Sequence, residues 1–434
     1  MKKKTVYIAL TADSIHHGHM RLIEKGRQLG DITIGLISDK AVAEYKRLPF
    51  LNFLQRKKIL INLKGVKKVV PQNEWDYSNN VKKIKPDYLV HGDDWKVGYM
   101  SGIRKKVIKI MKSYGGKLIE IPYTKGISSA ALIDNQNQIS STPDLRRGLL
   151  RRLLESKKIV RIIETHNPIS AIIAENTYLE KKGKRLGFDG FWSSSLTDST
   201  MMGKPDNESL DISMRLKGVD QIFEVTSKPL IFDGDTGGKI EHFESKIKTM
   251  ERLGISSIII EDKKGLKKNS LLSNTKSQIQ EDIKIFSEKI STGKKAQLSS
   301  DFMIIARIES FILGKNLKDA IKRAHAYIDA GADGIMIHSK SNNPKEIFNF
   351  SKMFRKNYKD IPLISVPSSY NQVKEKELYE NGFNIVIYAN HLLRAAYPAM
   401  KEVAKNILSN SRSKEVDKKL LSIKEILNLI PGTN

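Results

Sequence analysis

The sequence predicts two α/β domains, a Rossmann-like parallel sheet followed by a (β/α)8 barrel of the TIM type, on three observations. Short apolar runs alternate with helical patterns along most of the chain. A polar stretch at 136–143, rich in Gln, Asn, Ser and Thr, interrupts the alternation and reads as a linker. Beyond it, eight strand candidates recur, the count that a barrel of this kind needs. The expected division is a first domain over residues 1–138, a linker at 139–150 and a barrel over 151–434.

In chain order, residues 6–10 read as a buried first strand, and the helix after it begins near Gly18 with Met20, Leu22, Ile23 and Leu29 as its apolar face. Residues 32–37 read as a second strand, 52–63 as a helix and 66–70 as a third strand. Residues 87–92 are strand-like and run into Asp93-Asp94-Trp95, and 117–121 closes the sheet. A helical stretch at 144–156 leads to the barrel strands, expected at 160–164, 190–194, 230–233, 258–261, 303–308, 334–338, 363–366 and 385–388. The tail at 415–430 has the spacing of an amphipathic helix.

Composition narrows the class. With 40% hydrophobic and 28% charged residues, the 434-residue chain has the balance of a soluble globular protein. The absence of cysteine excludes disulfides, thiolate catalysis and Cys-ligated zinc. The first apolar run is too short for a signal peptide, and no run has the length of a membrane span, so the expected location is the cytoplasm with no membrane partner. A net charge of +27 invites a nucleic-acid reading. The lysines are scattered, however, and only 7% of residues are aromatic, without the basic-aromatic interleaving of a single-strand-binding face. The expectation is phosphate handling and no nucleic-acid partner.

Barrels of this type gather catalytic groups where their strands end. Those ends carry Glu164 and His166, Trp192-Ser193-Ser194, Asp233 and Asp235, Glu261, Arg307 and Glu309, His338, and Asn390. Asp233, Asp235 and Glu261 make a set of hard oxygen donors suited to Mg²⁺, directly or through water. Arg307 and His338 suit an anionic group, Arg offering a two-pronged donor to phosphate. After the strand run Ile258-Ile259-Ile260, the sequence Glu261-Asp262-Lys263-Lys264-Gly265-Leu266-Lys267-Lys268-Asn269-Ser270 passes from carboxylates to a glycine-containing basic loop, the composition of a lid over a phosphorylated substrate.

These residues carry a resemblance. Phe232-Asp233-Gly234-Asp235-Thr236-Gly237-Gly238, the Glu261–Ser270 lid, Phe191-Trp192-Ser193-Ser194, Ala306-Arg307-Ile308-Glu309-Ser310-Phe311, the run Gly331 to Lys340 and Tyr388-Ala389-Asn390-His391-Leu392-Leu393-Arg394 resemble phosphoenolpyruvate mutase, of the isocitrate lyase/PEP mutase superfamily, over residues 158–430. The resemblance implies conversion of phosphoenolpyruvate to 3-phosphonopyruvate, with phosphonopyruvate hydrolysis as the alternative. It implies Mg²⁺ near Asp233, Asp235 and Glu261. The substrate carboxylate would lie at Ser194, Ser195 and Leu196 beside Trp192, and the phosphoryl group at Arg307, His338 and Asn269, with Ser270 and Glu309 adjoining. Asp206 matches an aspartate beside the migrating phosphoryl group, and Lys267 a lysine of the closing lid. It further implies a homo-oligomer, dimer or tetramer, built through the barrel. Three positions depart from the family pattern: Ser195 stands where glycine is usual, Gly234 replaces an alanine, and Lys264-Gly265-Leu266 replaces x-Phe-Pro in the lid.

In the first domain, His16-His17-Gly18-His19 at a strand-to-helix turn puts His16 and His19 on one face of the first helical turn. Gly18 allows close backbone approach and the helix N-terminus favours anions, so the pair suits charge stabilisation on a triphosphate attacked at its α-phosphorus. With Leu22 to Asp31, Gln55-Arg56-Lys57-Lys58, Gly92-Asp93-Asp94-Trp95 and Gly126-Ile127-Ser128-Ser129, the motif resembles the cytidylyltransferases, over residues 4–131. The resemblance implies CTP phosphates held by His16, His19, Lys46 and Arg56, with Gly18 at the turn, and Asp13 positioning acceptor or metal. Asp94 would contact the nucleotide, and Gly126, Ile127 and Ser128 would cap a phosphate. The family's Arg-Thr-Glu-Gly-Ile-Ser appears as Tyr123-Thr124-Lys125-Gly126-Ile127-Ser128. The order of the halves resembles bifunctional cytidylyltransferase/phosphoenolpyruvate mutases of phosphonate biosynthesis. It implies CMP transfer from CTP to a phosphonate such as 2-hydroxyethylphosphonate, with aminoethylphosphonate or a phosphorylated alcohol as the alternative acceptor.

Overall fold

The computed structural model describes residues 3–122, 142–181, 183–265, 267–270 and 278–430. The first domain is a parallel sheet of β1 (Thr5–Leu10), β2 (Asp31–Ile37), β3 (Val66–Gln72), β4 (Tyr88–Gly92) and β5 (Lys117–Ile121), in the order β3-β2-β1-β4-β5. β1 pairs in register with β2, Val6 opposite Ile32, and with β4, Val6 opposite Tyr88. The chain direction of the winding therefore reverses between β1 and β4, and ligands of such sheets bind beyond the strand ends at that switch. Val6, Ile8, Ile32, Ile34 and Val90 are buried on one face, Tyr7, Leu89 and Val107 on the other.

The second domain is a closed barrel of eight parallel strands in the order β10-β11-β14-β15-β16-β17-β6-β9. The strands are β6 (Val160–Glu164), β9 (Gly190–Ser193), β10 (Leu230–Asp233), β11 (Ser257–Glu261), β14 (Met303–Ile308), β15 (Gly334–Ile337), β16 (Leu363–Ser365) and β17 (Ile385–Tyr388), all within a residue of expectation. Two small antiparallel pairs lie outside it. β7 (Tyr178–Lys181) with β8 (Lys184–Gly187) is a hairpin absent from the expected pattern, and β12 (Lys263–Lys264) with β13 (Ile279–Gln280) ties together the two ends of the lid.

The helix expected at 144–156 is present as Pro143–Ser156, so the linker placed at 139–150 overlaps its first turns. The helix Pro143–Ser156 starts with Pro at its first turn, where no N–H partner is lost, and buries Leu150 and Leu153 against the barrel's inner side chains. Filling that mouth is worth about 1.5–3 kcal/mol for each fully buried leucine, which outweighs the polar composition just upstream. Arg151 of this helix reaches Asp301 O, Phe302 O and Asp333, and Ser256 Oγ donates to Arg146 O, so the helix crosses the mouth where the strands begin. The expected tail helix is likewise broken, into a short 3-10 turn over Lys414–Lys419 and a helix over Ile423–Leu429 started by Ser422, whose hydroxyl accepts from Glu425 N. No described helix is long and apolar enough to cross a membrane.

Candidate active sites

The barrel's strand ends surround an open cavity. Of the residues singled out in the sequence, Trp192, Ser194, Ser195, Leu196, Asp206, Asp233, Glu261, Lys267, Asn269, Ser270, Arg307, His338 and Asn390 line it, joined by Met336, Val366 and Ser368. Glu309 and Asp235 stand directly behind that wall.

The phosphate-type donors form one braced group. Arg307 donates from Nε to Glu309 Oε1 at 2.6 Å and from Nη2 to Ser270 Oγ at 2.7 Å, and lies 3.0 Å from His338 Nδ1. Ser270 Oγ passes its own proton to Glu309 Oε2 at 2.5 Å. Burial works against ionisation of Glu309, but Arg307, His338 and Lys263 overcome it and hold the carboxyl well below its usual range. Burial, reinforced by Arg307, keeps the His338 imidazole below its ordinary pKa. The group therefore offers one fixed guanidinium and one neutral ring towards the cavity.

Opposite lie the carboxylates. Ser195 donates to Asp233 Oδ2 from its backbone N at 3.2 Å and its hydroxyl at 2.9 Å. Asp235 sits in left-handed backbone, φ 53, within the tight Gly234–Gly238 turn that aims it inward. Gly234 has a local reason: a Cβ there would lie 2.6 Å from Ile258 Cδ1, which fills the space. Burial pushes Glu261 up to about 7 against the pull of Arg307 and Lys263, and its Oε1, 3.1 Å from Lys263 Nζ, has no hydrogen bond. A buried carboxylate oxygen without a hydrogen bond, beside two more carboxylates, fits a hard divalent cation. Among the described residues, no group of three His, Asp or Glu side chains is close enough to hold a metal ion by itself. A cation bound here would keep several of its own waters, the habit of magnesium.

The lid reaches into this ring. Lys267 Nζ donates to Asp206 Oδ1 at 2.6 Å and also contacts Ser195 Oγ and Asp235 Oδ1. Asn269 Nδ2 donates to Asp206 Oδ2 at 3.2 Å. Lys263 Nζ donates to Lys268 O at 3.1 Å and Ser270 Oγ at 2.9 Å, tying the lid to its own strand end. Gly265, φ 83, supplies the left-handed turn that the usual sequence of the lid would not. Leu266 lies outside the described residues.

Sequence reasoning missed Arg215. From the buried face of the helix Ile212–Phe223 it donates to Asp198 Oδ2 at 2.9 Å, Asp233 O at 2.7 Å and Asp235 Oδ2 at 3.1 Å, with its guanidinium 4.2 Å from the Phe232 ring centre. The signal was a charge inside an apolar stripe, since Arg215 shares its face with Leu216, Val219 and Ile222.

The first domain places its motif at the switch point. His16 caps the helix His17–Leu29: its Nδ1 accepts from Gly18 N at 3.1 Å, and His19 Nδ1 accepts from His16 N at 3.4 Å. Both Nδ1 atoms being acceptors, each neutral ring carries its proton on Nε2, and the two rings lie 4.0 Å apart. Burial lowers the His19 pKa to about 4, helped by His16 and Lys46. Asp13 Oδ1 accepts from Phe50 N at 2.5 Å. Lys46 Nζ lies 5.4 Å over the Trp75 ring, and Asp94 sits beyond β4, 3.7 Å from His91 Nδ1. Arg56 requires a correction. It is fully buried, donating from Nε to Leu51 O at 3.1 Å, from Nη1 to Thr11 O, and from Nη2 to Ile37 O at 3.0 Å and Asp39 Oδ1. Its donors are committed to the loops that frame the site, so it braces them and does not itself reach a phosphate. Gly126, Ile127 and Ser128 lie outside the described residues.

Residues 150–408 match the family model described as phosphoenolpyruvate phosphomutase, and residues 11–143 match one described as cytidylyltransferase-like. The phosphoenolpyruvate phosphomutase of Tetrahymena pyriformis is 36% identical over 281 residues, covering 64% of this chain and 89% of that protein. The crystal structure of phosphoenolpyruvate phosphomutase from Streptomyces platensis subsp. rosaceus aligns with a TM-score of 0.60 at 32% identity, covering 67% of this chain and 95% of that one. A phosphonopyruvate hydrolase complex with oxalate and Mg²⁺ aligns with a TM-score of 0.58 at 34% identity, with coverages of 67% and 95%.

Proposed function

We propose, from the premise that the chain belongs to the phosphoenolpyruvate phosphomutase family, that its barrel interconverts phosphoenolpyruvate and 3-phosphonopyruvate. The observation that carries the mutase reading is Asp206 held by both Lys267 and Asn269 beneath the lid. In this reading the oxygen–phosphorus bond of the enol phosphate breaks, the phosphoryl group turns within the cavity, and C3 of the enolate bonds phosphorus as the enol becomes a ketone. Such transfers are loose, with charge spread over the phosphoryl oxygens, and demand fixed donors and exclusion of water. Arg307 and neutral His338 receive those oxygens, Asn269 adds an amide donor, and groups around Ser194, Ser195 and Leu196 orient the carboxylate. Asp233, Asp235 and Glu261 would hold Mg²⁺, which the related hydrolase binds with oxalate. That ion would neutralise the carboxylate and enolate oxygens.

The test is ³¹P NMR of phosphonopyruvate incubated with the full chain and Mg²⁺. Phosphoenolpyruvate is expected, abolished by EDTA and restored by Mg²⁺; pyruvate with free phosphate would instead identify a hydrolase, the second reading that the hydrolase relative favours.

For the first domain, the proposal is transfer of CMP from CTP to a phosphonate such as 2-hydroxyethylphosphonate, releasing pyrophosphate. The paired imidazoles at the switch point support it, each presenting an Nε2–H to a triphosphate. Parallel incubations of CTP with hydroxyethylphosphonate, aminoethylphosphonate, glycerol phosphate and phosphocholine would decide the acceptor. Pyrophosphate release with neither phosphonate would reject this choice. A homo-oligomer built through the barrel is also proposed, supported by the helix His391–Asn410, which buries none of its residues within its own chain.

A further inference from the structure

The segment between the helices Asp39–Ala43 and Phe53–Ile61 carries Lys46 and supplies the amide that Asp13 grips. Residues of the barrel half hold it along its length. Arg152, on the helix across the barrel mouth, donates from Nη2 to Pro49 O at 2.7 Å and from Nη1 to Phe50 O at 3.1 Å. Leu48 is buried in the apolar cluster that also holds Leu150 and Leu153 of that helix. On the other flank, Lys184 of the β7–β8 hairpin lies 2.7 Å from Glu44 Oε2 and 5.0 Å over the Tyr45 ring.

The same guanidinium connects to the second loop of the site through Asp39 and Arg56. Arg152 Nη2 stands 3.7 Å from Asp39 Oδ2, whose Oδ1 takes Arg56, and Arg56 holds Thr11 O just beyond β1. One side chain of the barrel half thus braces both loops, the one that carries Asp13 and the one that carries Lys46. An irregular loop held by a charged donor on two successive carbonyls is fixed in one conformation; without the donor it samples many.

We infer that Arg152 is a positioning residue for nucleotidyl transfer, so that the first domain's site is complete only with the barrel docked against its Lys46 loop. The inference rests on the nucleotidyl-transfer reading given above. It also gives a structural reason for joining the two domains in one chain: the barrel serves the first domain as scaffold.

The experiment uses the full chain with Arg152→Ala and Arg152→Lys, read by hydrogen exchange, pyrophosphate release from CTP and phosphonopyruvate turnover. In Arg152→Ala, exchange across residues 44–51 should rise, and the KM for CTP should rise about tenfold with a smaller change in kcat, the scale of a lost charged hydrogen bond. Arg152→Lys, which keeps the charge but not the planar fork that spans both carbonyls, should recover part of the KM. Phosphonopyruvate turnover and exchange in β11 should stay at the wild-type level, which shows that the barrel remains folded. Unchanged loop exchange, or raised exchange with an unchanged KM, overturns the inference while leaving the nucleotidyl-transfer reading intact. A wild-type chain that releases no pyrophosphate with any acceptor removes that reading, and the inference with it.

Discussion

Lys267 Nζ lies 2.6 Å from Asp206 Oδ1, so the lid meets the barrel through a buried ion pair directly over the reacting cavity. Burial alone would lower the lysine's pKa, but Asp235, Asp233, Glu261 and Asp206 overcome it and raise it. The ammonium is therefore a permanent charge at the closing edge of the site. Lys267→Ala should lower mutase kcat about 10²–10³-fold, as expected for loss of one preorganised donor at a dissociating phosphoryl group. Asn269→Ala should act in the same direction. Cytidylyl transfer, measured by pyrophosphate release, should be untouched in both; a parallel loss would mean the two sites are not separate.

Ser195 adds a contact that the usual glycine cannot make, since its hydroxyl donates to Asp233 at 2.9 Å and accepts from Lys267. The extra hydroxyl couples the lid lysine to the floor of the site. Ser195→Gly removes that coupling but keeps the backbone N–H that reaches Asp233 at 3.2 Å. The expected result is a functional mutase with a looser lid, which admits water. The phosphate-to-phosphoenolpyruvate product ratio from phosphonopyruvate should rise, by ³¹P NMR, with total turnover within about a factor of ten, one modest hydrogen bond's worth. An unchanged ratio would show that the hydroxyl does not tighten the lid.

The strands and their ends were legible because a buried parallel strand is a dense apolar run, and the chemistry sits immediately after it. Glu261, Arg307 and His338 each follow a β-branched or apolar stretch with no intervening turn. Arg56 and Arg215 were not legible, because a cation's partners come from distant segments. Arg56 takes carbonyls from Thr11, Ile37 and Leu51, and Arg215 takes them from Ser193 and Asp233. The helix Pro143–Ser156 was legible from its leucines despite the polar stretch before it, but its place across the barrel mouth was not, because the residues that receive it come from distant strands. The β7–β8 hairpin, charged and without a core face of its own, has nothing in its pattern that local reasoning detects.

Glu120 gives the first domain an acid-sensitive tie. Arg104 donates to both its oxygens, at 2.8 and 2.9 Å, and Trp95 Nε1 donates at 2.8 Å, which together lower its pKa from 4.5 to about 2 against a smaller burial cost. A carboxyl with a depressed folded-state pKa stabilises the fold above its unfolded pKa, and that contribution fades as pH falls through the folded value. Glu120→Gln should therefore be less stable than wild type at pH 7, and the gap should narrow between pH 4.5 and about 2. Urea denaturation across that range, followed by far-ultraviolet circular dichroism, measures it. A gap independent of pH would mean the Arg104 pair contributes nothing through charge.

Arg215 offers the sharpest separation of fold from chemistry. It lies between Asp198 and Asp235, at 2.9 and 3.1 Å, with only 3% of its side chain exposed. Arg215→Met keeps the bulk over Phe232 but leaves Asp198 without its cation and Asp235 with Lys267 alone. Removing one partner of a buried pair costs about 3–5 kcal/mol, because the remaining charges are desolvated and uncompensated. The barrel's thermal transition should fall accordingly, while the first domain's transition, followed separately by hydrogen exchange in β1, should move little. Arg215→Lys retains the charge but cannot reach Asp198, Asp235 and the Asp233 carbonyl at once, because an ammonium lacks the planar fork. It should fold at near wild-type temperature yet lose mutase turnover, since Asp235 is then no longer aimed into the cavity. Full activity in Arg215→Lys would mean that charge alone, and not the fork, holds Asp235 in place.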